Sequence, residues 1–266
     1  MKKYGQYRLE DFPESRIGTV DIGIASHMKH HIRALIELDV TEARKRIAEQ
    51  KKNGVRITFN AWLIKCISMT IAEFPELHGV RKGRNKIVLF EDIDISIMVE
   101  RETGGVKIPL PYVIRKSNEK SVLEISDEIR KAQSQIIENE EDHVLGEEKH
   151  SYSMKLYYAM PGFIRKQVWK HLIRSPFLTK NNMGTVMITS VGMIGRIKGW
   201  VIPVSVHPIA FAVGAIVKKP GVTDDRIEIR ESLYVTVAVD HDVIDGAPAV
   251  RALSRLTTLV EKAAGL

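Results

Sequence analysis

The run from Tyr234 to Ala247, YVTVAVDHDVIDGA, constrains this chain more than any other stretch. An apolar, β-branched segment ends on His241, a tight turn carrying Asp245 and Gly246 follows, and Pro248 suits the first turn of a helix. A histidine held at the end of a rigid strand has a fixed position and titrates near neutrality, two properties that suit a general base. Asp245, at the start of the helix, can cap free amides and interact with the helix dipole. Gly246 is expected to supply the backbone freedom of the turn.

Upstream, the chain switches between the two hydrophobic periods. Ile32, Ala34, Ile36, Leu38 and Val40 alternate with mostly polar residues and read as a half-buried strand. Thr41 then offers a cap for a charged helix from Glu42 to Lys52, which stops at Asn53-Gly54. Phe59 to Phe74 is apolar nearly all round and ends at Pro75, which predicts a central buried helix. Ile93, Ile95, Ile97 and Val99 predict a strand, with Glu102 to Gly105 turning a hairpin into Val106-Lys107-Ile108. Ser121 and Glu124 make a capping box for a helix whose apolar face holds Val122, Ile125, Ile129, Ala132 and Ile136. Two more strands are expected after Gly184 and Pro208, before the one from Leu233 to Val239; Leu253, Leu256 and Val260 face inward from the last helix. Strands separated by helices, with at least one hairpin, argue for an α/β domain with a mixed sheet covered by helices. Residues 1–20 lack periodicity and read as an N-terminal arm, and residues 21–266 as a single domain.

Composition removes several classes of function. The single cysteine, Cys66, rules out an internal disulfide and a cysteine metal cluster, which fits a reducing cytoplasm; set in an apolar run, it reads as a buried, inert thiol. No apolar stretch is long enough to span a bilayer, and Met1-Lys2-Lys3 does not begin a signal peptide. The net charge of +7 suits an anionic partner, but zinc-finger spacing, an aromatic ribonucleoprotein motif and a dense basic helix are all missing, so nucleic acid is not expected. His27, His30 and His31 cluster without carboxylates or cysteines at ligand spacing, so no metal is expected there. Gly192-x-x-Gly195 lacks the spacing of a dinucleotide fingerprint, and no Gly-x-Ser-x-Gly elbow marks a serine hydrolase. Met154 to Arg174 is a basic amphipathic segment broken by Pro161-Gly162; it reads as helices packed on the core or on another subunit, with membrane contact the lesser reading.

The segment around His241 resembles the Asp-His-x-x-x-Asp-Gly-Ala signature of the catalytic domain of dihydrolipoyl acyltransferases, the core subunits of 2-oxo acid dehydrogenase complexes. It is also similar to the shorter motif of chloramphenicol acetyltransferase, which shares their fold. Further blocks follow in family order: HIRALIELDVT from His31, Phe74-Pro75-Glu76-Leu77, DIDISIMV from Asp92, KSVLEI from Lys120 and GTVMITSVGMIG from Gly184. Three features depart from the family. Asp242 stands where an arginine is usual, the region between Ile137 and Gly184 is longer and atypical (about 138–183), and no lipoyl-bearing Asp-Lys-Ala segment or Ala/Pro linker precedes the domain.

The resemblance implies a two-layer sandwich of the chloramphenicol acetyltransferase type. It implies acyl transfer between coenzyme A and a thiol, with acyl-CoA as substrate, no tightly bound cofactor and a lipoyl acceptor supplied in trans by a separate protein. His241 is then the base and Asp245 a group that orients its loop. Thr189 donates to the oxyanion, with Ser190 as the alternative. In the family the carboxylate at the Asp245 position pairs with an arginine near the domain start, for which Arg16 and Arg33 are candidates; the histidine at the His31 position has no derived role. The implied assembly is a homotrimer or a multiple of trimers, with the active site between subunits. Acylation of a small alcohol or amine, and a structural oligomer with weak catalysis, are the rival functions.

Overall fold

Six strands form one mixed sheet in the computed structural model, which describes residues 5–13, 15–103, 106–134, 156–192 and 197–266. In chain order the elements are α1 (Ser15–Ser26), β1 (His31–Asp39), α2 (Thr41–Lys52), α3 (Phe59–Glu73), β2 (Val80–Lys82), β3 (Lys86–Val88), β4 (Ile95–Thr103) and β5 (Val106–Ile114). There follow α4 (Val122–Ser134), α5 (Gly162–Arg174), α6 (Pro176–Met183), β6 (Val186–Ser190), β7 (Ile209–Thr223), β8 (Arg226–Asp240) and α7 (Gly246–Glu261). The sheet order is β1-β8-β7-β6-β4-β5. β6 runs parallel to both β4 and β7, and the other pairings are antiparallel. β2 and β3 form a separate small hairpin. The hairpin predicted at Glu102 to Gly105 is present as the β4–β5 pairing; residues 104 and 105, and Ile136 of the predicted helix face, lie outside the described residues.

α3 is the centre of the helical layer, packing on both α4 and α7. Thr58 caps it by accepting the Ala61 N–H, and Trp62, Ile64, Ile67 and Ile71 are fully or almost fully buried. Each such side chain contributes about 2 kcal/mol, so the all-round apolar run forms a helix only where both sides are covered. Lys65, the one basic residue of α3, has its ammonium taken by the carbonyls of Asn118 (2.9 Å) and Lys120 (2.7 Å), and burial lowers its pKa. Ser121 and Glu124 form the expected reciprocal cap of α4. Cys66 is buried as expected, which pushes its thiol up to about 12.

The other face of the sheet has a lighter cover. Trp200 lies edge-on to Tyr234 of β8 and donates its indole N–H to the Ile36 carbonyl (2.9 Å). A small cluster of Ala25, Ile173 and Val206 joins α1, α5 and the 204–207 segment. The architecture is thus an α/β two-layer sandwich with this partial cover behind the sheet.

Four local expectations are corrected. The arm stops being irregular at Ser15, where α1 begins. The strand leading to His241 starts at Arg226 instead of Leu233, because an exposed ribbon of β7 and β8 extends beyond the core. Thr41 is not a cap: Val40 is the N-cap residue, the Asp39 carboxylate accepts the Thr41 N–H, and the Thr41 hydroxyl accepts the Glu231 N–H. Gly246 is the first residue of α7, has no positive φ and leaves open space at its Cβ position, so the turn does not depend on it. The glycine that matters is Gly192. A Cβ there would lie 1.9 Å from the Gly214 carbonyl oxygen, where the chain leaving β6 crosses close over β7.

Two buried histidines give the fold an acid limit. His78 donates from Nε2 to the Phe90 carbonyl (3.1 Å) with Nδ1 on the Thr185 hydroxyl, and His207 donates from Nε2 to the Met183 carbonyl (3.1 Å). Burial lowers both to about 4. Because the unfolded chain binds these protons at higher pH than the folded one, stability is intact above about pH 6.5 and falls toward pH 4, by on the order of 3 kcal/mol for each ring. Urea unfolding at pH 7 and at pH 4.5 should show that loss; equal stability at both would contradict it.

Candidate active site

His241 follows the last residue of β8, and its N–H continues the ladder by donating to the His30 carbonyl (3.0 Å). Its side chain is 43% exposed, and Nδ1 lies 3.7 Å from Asp245 Oδ1, close enough for attraction but beyond a hydrogen bond. Asp245 is the N-cap residue of α7 by backbone geometry, yet its carboxylate makes no capping bond and is 88% exposed. The expected cap is therefore corrected, while the proximity to His241 remains. Among the described residues no arginine pairs with Asp245: Arg33 reaches only the His31 carbonyl, and Arg16 lies in the first turn of α1. Asp245→Asn should accordingly leave stability within about 0.5 kcal/mol while lowering turnover. A large fall in the thermal midpoint would show that the carboxylate is anchored in the working protein.

Thr189 and Ser190 end β6 on opposite faces of the sheet. Val186 and Ile188 belong to the core under the helices, so Ser190 shares their face and Thr189 the other. Neither hydroxyl is engaged by a described residue. Register fixes the distance to His241: Thr189 pairs with Ala212 of β7, which pairs with Thr236 of β8. From Thr236 to His241 the chain advances about 16 Å, and two strand spacings add about 10 Å sideways. The two groups are therefore about 19 Å apart, and one reacting carbonyl cannot touch both within a single chain.

The histidine cluster lines an open cleft of about 650 Å³ with Ser26, Lys29, Arg33 and Ser205, beside the strand end that carries His241. His31 donates from Nε2 to the His207 carbonyl (2.9 Å), and burial lowers its pKa; its role is to tie β1 to the segment before β7. His30 pairs with Asp242 through Nδ1 (2.9 Å), and that hydrogen bond raises its pKa. Sequence reasoning did not find the buried ion pair between Lys29 and Asp240, 2.7 Å apart, which fixes the residue just before His241. Nothing in local periodicity signals it. The only hint is a carboxylate ending an apolar strand, which needs a cation if it is buried.

The basic amphipathic segment is in part α5, which packs on α1. Asp21, buried on α1, takes the Arg165 guanidinium (2.7 Å) and the Tyr157 hydroxyl, and Trp169 donates to Tyr157 (2.8 Å). Met154 and Lys155 lie outside the described residues.

A mixed α/β sandwich with a strand-end histidine and a hydroxyl two strands away in the same sheet has the parts of a transferase-like site, and comparison with known proteins narrows the class. The model of the 2-oxoacid dehydrogenases acyltransferase catalytic domain matches residues 19–142 and 174–266, and the chain belongs to that family. The lipoamide acyltransferase component of the branched-chain alpha-keto acid dehydrogenase complex of Bacillus subtilis (strain 168) is 26% identical over 271 residues. That alignment takes in 94% of this chain and 54% of the relative, so the chain spans about half of that protein's length. The solved dihydrolipoamide acetyltransferase of Azotobacter vinelandii has a TM-score of 0.68 at 21% identity, covering 98% of this chain and 93% of that one. A chloramphenicol acetyltransferase gives 0.52 at 12% identity, covering 97% of each chain. These structural likenesses establish the fold. In the Azotobacter protein the roles of a serine, a histidine and an asparagine in the catalytic mechanism have been investigated. No helix among the described residues is long and apolar enough to cross a membrane.

Proposed function

We propose that this chain moves acyl groups between coenzyme A and a thiol, the acceptor being a lipoyl group carried on a separate protein. His241 takes the proton of the acceptor thiol, and the thiolate adds to the thioester carbonyl. The Thr189 hydroxyl donates to the oxyanion so formed. Collapse of the tetrahedral intermediate expels the second thiolate, which recovers the proton from the imidazolium. Asp245, 3.7 Å from the ring, favours the imidazolium by charge attraction, and no metal or tightly bound cofactor is needed.

The observation that carries this reading is a strand-end histidine and a hydroxyl that no described residue engages, on one sheet and held about 19 Å apart by register. Such a pair works only if His241 of one copy faces Thr189 of the next, which a closed ring of three chains provides. The cleft beside β1 supports an anionic substrate, since Arg33 and His27 line it. A cytoplasmic setting fits the single buried thiol.

The test is incubation of the purified protein with a panel of acyl-CoAs and either a lipoyl-domain protein or dihydrolipoamide, with the acylated acceptor weighed by mass spectrometry. Acylated lipoyl product is expected. Transfer only to small alcohols or amines would replace this reading with the chloramphenicol acetyltransferase type, and no transfer to any acceptor would leave a structural oligomer.

A further inference from the structure

His30 touches the loop of His241 twice. Its carbonyl accepts the His241 N–H at 3.0 Å, and its Nδ1 lies 2.9 Å from Asp242 Oδ1. The other oxygen of Asp242 faces Arg81 of β2, 4.0 Å from Nη1, and the Asp242 N–H reaches Asp240 Oδ1 at 3.3 Å. The next residue, Val243, packs against the foot of the same hairpin: a Cβ built on Gly79 would lie 3.0 Å from Val243 Cγ1, beside Leu89 and Ile87. The loop bearing His241 is thus slung between the start of β1 and the β2–β3 hairpin, and Asp242 is where the two supports meet.

We infer that Asp242, held by His30 and Arg81, is a positioning residue that sets the aim of His241. The His241 ring has no hydrogen bond to any described residue, so the backbone of the loop determines where it points. One side of that loop is anchored by the buried Lys29–Asp240 pair. Asp242 anchors the other side with an exposed pair, His30 being 72% and Asp242 33% exposed. Exposed pairs of this kind contribute little to stability, whereas a shift of about 1 Å at a reacting group can cost about a hundredfold in rate. Charge fits the assignment: both partners suit a carboxylate, and an arginine at position 242 would face two basic groups. The kinetic part of this inference rests on the acyl transfer proposed above; the brace itself does not.

The experiment compares Asp242→Arg with the double variant Asp242→Arg, Arg81→Glu. It reads hydrogen exchange at the amides of residues 241–243 alongside kcat and KM for acyl-CoA. Asp242→Arg should speed the exchange and lower kcat by about tenfold with KM changed by less than about twofold. The double variant, which restores opposite charges, should recover both. Native exchange in Asp242→Arg, or a double variant no better than the single one, would overturn the brace. A wild-type protein that transfers no acyl group would sink the proposed activity instead, and the exchange data would then decide the brace alone.

Discussion

His241→Ala should lower acyl transfer by about 10²–10⁴-fold, the range lost with a positioned general base, and leave the thermal midpoint almost unchanged. The ring is partly exposed and its one polar partner among the described residues is Asp245, at 3.7 Å, while the backbone bond to His30 survives in alanine. Truncation therefore opens no cavity and strands no buried polar group, which confines the stability change to about 0.5 kcal/mol. Acylated lipoyl product measured by mass spectrometry, together with thermal unfolding of the same sample, separates the two effects. Turnover near the wild-type level would remove His241 from the chemistry.

Thr189→Val should cost about 10²–10³-fold in kcat, as the loss of one oxyanion donor does, with KM for acyl-CoA little changed because the bond forms only as charge develops on oxygen. The substitution keeps the shape of a half-buried side chain whose hydroxyl no described residue uses. Ser190, on the face toward the helices, should tolerate alanine. The reverse outcome, with Ser190→Ala slow and Thr189→Val normal, would place the donor on the other side of β6.

The helical layer was legible because its chemistry is local. An apolar run between Thr58 and Pro75 can only be a buried helix, and Ser121 with Glu124 announces its own cap. The site was legible where its parts are close in sequence: His241 and Asp245 lie within one loop. α1 was not, because its exposed side includes Val20, Ile22 and Ile24 while the buried Asp21 is satisfied by Arg165 and Tyr157, far along the chain. The outer half of β8 was missed for a related reason. Ile227 and Ile229 are exposed, so the ribbon carries no pattern that points toward a core. The β2–β3 hairpin has strands of three residues, too short for any period to register. The ties of Lys29 and His30 to the His241 loop cross more than two hundred positions of sequence, and only the β1–β8 register brings them together.

The central claim is that each working site takes its histidine from one copy and its hydroxyl from another. His241→Ala and Thr189→Val proteins, each nearly inactive, should be unfolded in equal amounts, refolded together and assayed against each refolded alone. If sites form between chains, random reassembly gives about a quarter of them both intact groups, and the mixture should regain activity in that proportion, in a fraction that sediments as an oligomer. No recovery from properly reassembled mixtures, or full wild-type activity in a sedimenting monomer, would contradict a shared site.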